Sequence, residues 1–340
     1  MNLCSPEDRF SSYDKLHCWQ YDIRLNNINN DIIESGIPID VISNLKISDF
    51  TFEGYDTEGH PNTDKKIVKQ KKLLFKPIYN EVKEFIIKHE WLGTMPHYPT
   101  HFFIARYNGV LAGVVIMDMP NTFTKLVGNN TRYMERLISR GACISWSPKG
   151  LASSLLMWSI RWMVKNTRYR IFTAYSDPEA LELGTIYQAC NFFYLGQSSG
   201  ASKKYQIKSG KWVSDRYFRC RSIYKKIAKE LDIVWNKDWQ DGDKIIWNEI
   251  PQEYETLIKQ RSKEVMLELP SRTIATKHKY CYVLGKNIKE TKMLLKLFVE
   301  KNPKLFKKVD NKLLADSNFK YITEDGYYLR RIDYPKKRGE

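Results

Sequence analysis

In the stretch FTAYSDPEALELGTIYQACNFFYLG, Phe172 to Gly196, an acid closes an apolar run and a tyrosine follows one short turn later. Asp177, at the end of that run, stands at an expected active-site edge, because ligands gather where the strands of an open sheet end. The same acid ahead of Pro178 also suits an Asx-turn or a helix cap. Tyr187 can donate a proton to a leaving group or hold an oxyanion, or it can be a core tyrosine with a satisfied hydroxyl. Gln188 has the amide geometry to read an adenine edge through paired bonds. His89, in KHEWLG, can act as a base or a metal ligand. His97 and His101, in PHYPTH, have ligand-like spacing, yet Pro99 between them opposes a helix that presents both.

These side chains need a scaffold, and the hydrophobic pattern supplies one. Pro77 to about His89 carries apolar residues at helical spacing (Ile78, Val82, Phe85, Ile86). Apolar runs at Phe102–Arg106 and Val110–Met117 flank Asn108-Gly109, a hairpin signal because both central residues of a type I′ turn need positive φ. A further strand is expected within RYMERLISRGACISW. A long helix follows SPKG, then come a strand at Arg170–Tyr175, a helical turn around Ile186–Cys190 and a strand at Phe192–Leu195. Lys203–Lys208 and Trp212-Val213 pattern as a second hairpin. SDRYFRCRSIYKKIAKELDIVW reads as one basic amphipathic helix with Ser214 as N-cap. Beyond it lie one strand (Tyr280–Leu284), one helix (ETKMLLKLFVEKNP) and a basic tail.

The chain has 340 residues, 42% of them hydrophobic, enough for a sizeable core with extensions. Mean hydropathy is −0.50, with no apolar run of membrane-spanning length, and the N-terminal MNLCSPEDRF lacks signal-peptide character. An intracellular, cytoplasmic protein is the expectation. Six scattered cysteines without a C-x-x-C pair agree with reduced thiols. The net charge of +16 favours a polyanionic partner, and nucleic acid is the commonest in a cytoplasm. Arg216, Arg219, Arg221, Lys225 and Lys226, with Lys203 and Lys204, can form a phosphate track beside a cleft; the alternative is a solvated basic helix.

From Gln70 to Gly196 the element order resembles the GNAT acyltransferase fold, a splayed and mostly antiparallel sheet that holds an acyl-CoA between two central strands. That family seats the pyrophosphate on backbone N–H groups where [Q/R]-x-x-G-x-[G/A] opens the central helix. Here the segment is Ser147-Pro148-Lys149-Gly150-Leu151-Ala152. Gly150 and Ala152 match, Ser147 stands where Gln or Arg would, and Lys149 can face a phosphate. Acetyl-CoA or a related acyl donor is the cofactor this resemblance implies, with Ser147, Lys149, Gly150 and Ala152 to bind it.

YSDPEALELGTIYQACNFFYLG, with the upstream ISWSPKGLASSLL, more closely resembles the phage Mom family. These GNAT-related proteins convert adenine in viral DNA to a carbamoylmethyl-type derivative that shields the genome from restriction. Asp177, Gly184, Thr185, Tyr187, Gln188 and Ala189 match the family pattern, and its histidine before the hairpin falls on His89. The resemblance implies Asp177, Tyr187 and His89 as catalytic groups. It also implies an iron site grouping His89, Asp177 and one of His97 or His101.

The expected architecture is α/β: a GNAT-like mixed, mostly antiparallel splayed sheet with flanking helices. A polar lead-in is expected over residues 1–64, the catalytic core over 65–213 and a basic extension over 214–340. The expected function is transfer to a DNA base, most directly adenine N6. Trp91 and Tyr98 would wall the pocket, and DNA would lie on Lys203, Lys204, Arg216, Arg219 and Arg221. A GNAT transferase for another amine, or a non-catalytic DNA-binding or virion-associated scaffold, are the alternatives.

Overall fold

The computed structural model describes residues 18–56, 76–96, 99–120, 122–129, 131–197, 202–242, 244–309, 320–323, 326–330 and 333–335. Contacts divide the chain into two compact units, residues 1–198 with 277–340, and residues 199–276.

In the first unit, α1 (Trp19–Ser35) and α2 (Ile39–Asn44) precede the edge strand β1 (Thr51–Asp56), and α3 (Lys76–His89) leads into β2 (Pro99–Tyr107) and β3 (Val110–Asp118). The β2–β3 turn has the positive φ values the sequence demands, 47° at Asn108 and 83° at Gly109. Next come α4 (Thr131–Met134), β4 (Glu135–Cys143), α5 (Leu151–Asn166), β5 (Ile171–Ser176), α6 (Thr185–Ala189) and β6 (Phe193–Gln197).

The second unit contains β7 (Ser202–Gln206), β8 (Trp212–Ser214), α7 (Asp215–Phe218), α8 (Arg221–Glu230), β9 (Gln240–Asp241), β10 (Lys244–Ile245), α9 (Gln252–Leu267) and β11 (Ser271–Ile274). Its three-stranded sheet has the order β11-β7-β8. Tyr224, Ile227, Ala228, Ile233, Trp239, Ile250 and Ile258 give it a core of its own. The single basic helix expected from Ser214 is two helices. Ser214 makes no side-chain cap bond, and the carbonyl of buried Phe218 accepts from Ser262 Oγ at 2.7 Å instead of continuing a helical ladder.

The chain returns to the first unit with β12 (His278–Val283), α10 (Ile288–Lys301), β13 (Phe306–Val309), β14 (Lys320–Thr323) and β15 (Gly326–Arg330). The main sheet has the order β1-β2-β3-β4-β5-β12-β6. All neighbours are antiparallel except β4 and β5, which pair in parallel only over Glu135–Ile138 and Ile171–Ala174. Beyond that point β4 stays with β3, where Cys143 faces Gly113. The two central strands therefore splay at their C-terminal ends, as expected for a GNAT-like sheet.

The boundaries at 64 and 213 do not mark separate pieces. β1 belongs to the sheet, and its Gly54 permits the close approach of Trp162: an added Cβ would lie 2.8 Å from the indole. From the expected extension, β12 enters the sheet between β5 and β6. Its alternation explains why: Cys281 and Val283 pack with Leu294, Phe298 and Val299 of α10, while Tyr280 joins the core that includes Phe172 and Ala174. No described helix is long and apolar enough to cross a membrane.

Candidate active site

The site gathers where β5 ends. Asp177 caps the short turn Pro178–Ala180, its Oδ1 accepting from Glu179 N–H at 3.1 Å. Leu181, at φ 59°, folds the chain back. Glu182 N–H then donates to the Asp177 carbonyl at 3.1 Å, and Asp177 N–H donates to Glu182 Oε2 at 3.2 Å. The other Asp177 oxygen lies 3.1 Å from Lys277 Nζ, just before β12. The cap expected of an acid at this place is thus present, and the same carboxylate holds a cation.

Tyr187 sits on α6, its ring 5.3 Å from both Phe192 and Tyr280. Burial first, then the carboxylates of Glu182 and Glu90, push its hydroxyl well above the ordinary tyrosine value. The Tyr187 hydroxyl is therefore protonated at neutral pH. Glu182 stands between the two expected groups, bonded to the Asp177 amide and acting electrostatically on Tyr187.

Glu90 and Glu182 were not singled out by the sequence. Glu90 follows α3, is buried, and accepts from Leu92 and Gly93 N–H at 3.0 and 3.1 Å. Burial pushes its carboxyl up to about 7, against the pull of Arg140 and these amides. Burial also raises Glu182, opposed by the Asp177 amide and a Trp91 hydrogen bond. The only sequence signal was position: Glu90 adjoins His89, and Glu182 lies five residues past Asp177. Trp91, the expected pocket wall, binds Glu182 and meets Trp19 edge-on at 5.5 Å. Tyr98 and His97 lie outside the described residues.

Gly184 explains part of the Gly-Thr-x-Tyr-Gln pattern. At φ 71° it opens α6, and a Cβ there would stand 2.7 Å from Tyr280 Cζ. Gln188 Nε2 donates to the Leu183 carbonyl at 2.7 Å and to Tyr280 Oη at 3.2 Å, so its amide fixes the α6–β12 contact rather than presenting itself to a base.

His89 faces away from this cluster. Its Nδ1 lies 3.6 Å from Asp31 Oδ2 and its ring 4.4 Å from Phe85. Burial lowers its pKa, leaving a neutral imidazole at pH 7. His101 is fully buried, with Nδ1 2.9 Å from Thr100 Oγ1. Burial, with the Arg136 charge, pushes it down to about 3. The register His101–Met117–Ile138–Ala174 places it three strands across the sheet from β5, about 14 Å at the usual strand spacing and beyond the reach of a metal shared with Asp177. Among the described residues no group of three His, Cys, Asp or Glu is placed to hold a metal ion. The grouping of His89, His101 and Asp177 around iron does not fit this geometry.

The expected acyl-donor segment opens α5, with Gly150 as its N-cap at φ 91°. Lys149 is exposed and Ala152 half-buried, whereas Ser147 is buried. Arg24, from α1, donates through Nη2 to Ser147 Oγ at 3.1 Å, the Ser145 carbonyl at 3.1 Å and the Ile144 carbonyl at 3.4 Å. Buried Asp31, two turns on, accepts from Ser145 N–H at 3.2 Å and Ser145 Oγ at 2.5 Å. A Cβ at Gly150 would lie 3.2 Å from Ile47 Cδ1. α1 thus satisfies the polar groups from Ile144 to Ser147, and none of these bonds involves the backbone amides that open α5, where the pyrophosphate of an acyl donor would sit.

The expected DNA contacts all fall in the second unit. Lys203, Arg216 and Arg219 are exposed, and Lys204 and Arg221 half-buried. Arg219 pairs with Asp215 at 2.5 Å.

The Mom protein family profile matches residues 72–304. The chain belongs to the Mom protein family. Its match extends beyond the α3–β6 segment into β12 and α10, consistent with Lys277 and Tyr280 being part of the site's framework. No curated protein matches the sequence. Solved structures similar to this Mom-family chain include a GNAT family acetyltransferase from Elizabethkingia anophelis with acetyl-CoA bound, 10% identical, covering 69% of this chain and 99% of that one at a TM-score of 0.29. Another is a putative acetyltransferase from Salmonella typhimurium with acetyl-CoA, 15% identical, covering 48% and 88% at 0.29. A third is an N-acetyltransferase from Staphylococcus aureus, 18% identical, covering 54% and 86% at 0.26.

Proposed function

We propose that this Mom-family chain is a GNAT-like transferase that modifies an adenine in DNA at its exocyclic N6, protecting phage DNA from restriction in the host cytoplasm. The observation that carries this reading is the family match together with Asp177, Glu182, Glu90 and Tyr187 around one strand end.

An aromatic amine such as N6 is a poor nucleophile until its proton is taken up. A carboxyl pushed up to about 7 suits that task, being partly ionised at neutral pH while basic enough to hold the proton. As N6 bonds to the electrophilic carbon of the donor, its proton passes to Glu90 or Glu182. The bond to the leaving group breaks, and that group takes up the proton held by the carboxyl, relayed through the Tyr187 hydroxyl, so that the carboxylate and the neutral phenol are both restored. Lys277 holds Asp177 in place, so that Asp177 orients the amine. Within a duplex N6 is out of reach of such a pocket, so the base is flipped out at a cost of a few kcal/mol. The basic residues of the second unit, Lys203, Lys204, Arg216, Arg219 and Arg221, serve the DNA backbone.

The test is to co-express the protein with a plasmid, digest the DNA to nucleosides and weigh them by mass spectrometry. A new adenine derivative, absent with Tyr187→Phe, is the expected result. Unmodified DNA, bound tightly, would mark a scaffold instead; acylation of small amines with no base product would mark a different acceptor.

A further inference from the structure

Resting on the reading of DNA as the substrate, a second site emerges within the 199–276 unit. Its charge is segregated along the chain. Residues 202–229 hold ten Lys and Arg against the single acid Asp215, whereas 230–268 hold ten acids against five cations. In α8, Arg221, Lys225 and Lys229 recur at i, i+4 along the margin of the buried face of Tyr224, Ile227 and Ala228, the first two half-buried and Lys229 exposed. Like charges at that spacing destabilise a helix. A helix that merely faces water gains nothing from them; a polyanion offsets them.

A hollow of about 300 Å³ opens where this stripe begins, lined by Arg219, Cys220, Arg221, Ser222, Ile245 and Trp247. That volume is at the low end for ligand sites, suited to one nucleotide rather than a coenzyme. Arg219 is held by Asp215, in a pair with both side chains more than half exposed, which yields readily to a stronger anion. Trp247 is fixed in place. The Tyr224 ring meets it edge-on at 5.1 Å, and Lys259 Nζ lies 4.2 Å from its centroid. Two guanidinium groups and a hydroxyl beside a rigid indole match a phosphodiester and its base.

We propose that this hollow takes one nucleotide of an unpaired DNA strand, its phosphate between Arg219, Arg221 and Ser222 and its base against Trp247 and Ile245.

The experiment is fluorescence anisotropy of the full chain with a labelled single-stranded oligonucleotide across a salt series. Arg219→Gln with Arg221→Gln is expected to flatten the slope of log K against log salt by about 0.7 for each phosphate no longer neutralised. Lys263→Gln, which removes a cation outside the stripe, leaves the slope as in wild type. Trp247→Leu weakens binding about tenfold at an unchanged slope, and Trp247→Phe restores most of it. An unchanged slope in the arginine variant, with wild-type melting, overturns the proposal. So does competition by inorganic phosphate that is unaffected by Trp247→Leu, which would make the hollow a plain anion site. Nucleoside analysis separates this from the transfer reading. Unmodified plasmid with the slope change as stated removes the base-modification reading alone. Modified plasmid with an unchanged slope removes only this site.

Discussion

The ammonium of Lys277 lies 3.1 Å from the carboxylate of Asp177, joining two residues a hundred positions apart at the end of β5. Lys277 is 53% exposed on its side chain and Asp177 14%, so the pair contributes little to stability but sets the orientation of the acid. Lys277→Met is expected to lower transfer about a hundredfold with unchanged melting, and Lys277→Arg to recover much of it. Equal activity in Lys277→Met would remove the pair from the mechanism.

Glu90 links activity and stability with opposite signs. Its ordinary value is 4.5, and burial raises it to about 7 in the folded chain. The folded state therefore binds this proton more tightly than the unfolded state. That contribution is full below pH 4.5 and is lost as pH rises to 7, on the order of 3 kcal/mol across the window. Glu90→Gln, which keeps a carbonyl for the Leu92 and Gly93 amides, should gain melting temperature relative to wild type between pH 5 and 8 while losing transfer. Parallel melting curves for the two proteins across that range would contradict the assignment.

Gly184→Ala tests the packing behind Tyr187. The substitution places a methyl 2.7 Å from Tyr280 Cζ at a φ of 71°. A loss of about 2 kcal/mol or more in chemical denaturation is expected. A smaller loss would mean that the α6–β12 contact is looser than its hydrogen bonds imply.

Much of this site was legible because it is local. The strand, its closing acid, the glycine-opened turn and the tyrosine lie within one stretch, and patterning places them correctly. Lys277 was not legible, since β12 reaches the sheet only after the whole second unit intervenes. Glu90 and Glu182 read as ordinary loop acids; only the folded chain reveals their burial. The reading of His89 as a reacting group failed to foresee Asp31, whose helix lies in a segment that patterned as a polar lead-in. β1 was hidden for a similar reason, being a short edge strand whose key residue, Gly54, has no side chain to pattern.

α1 makes its own prediction. Arg24 and Asp31 satisfy the polar edge from Ile144 to Ser147. Arg24→Ala with Asp31→Ala should therefore cost about 2 kcal/mol or more in chemical denaturation, because the buried Ser145 and Ser147 hydroxyls lose their partners. A negligible loss would show that these bonds do not hold α1 to this edge.

The most direct measurement is mass spectrometry of nucleosides from plasmid grown with wild type, Asp177→Ala and Glu182→Gln. An adenine derivative with the wild type, lost in both variants although they melt normally, is what the acid cluster at the end of β5 predicts. The same derivative at wild-type yield from either variant would contradict it.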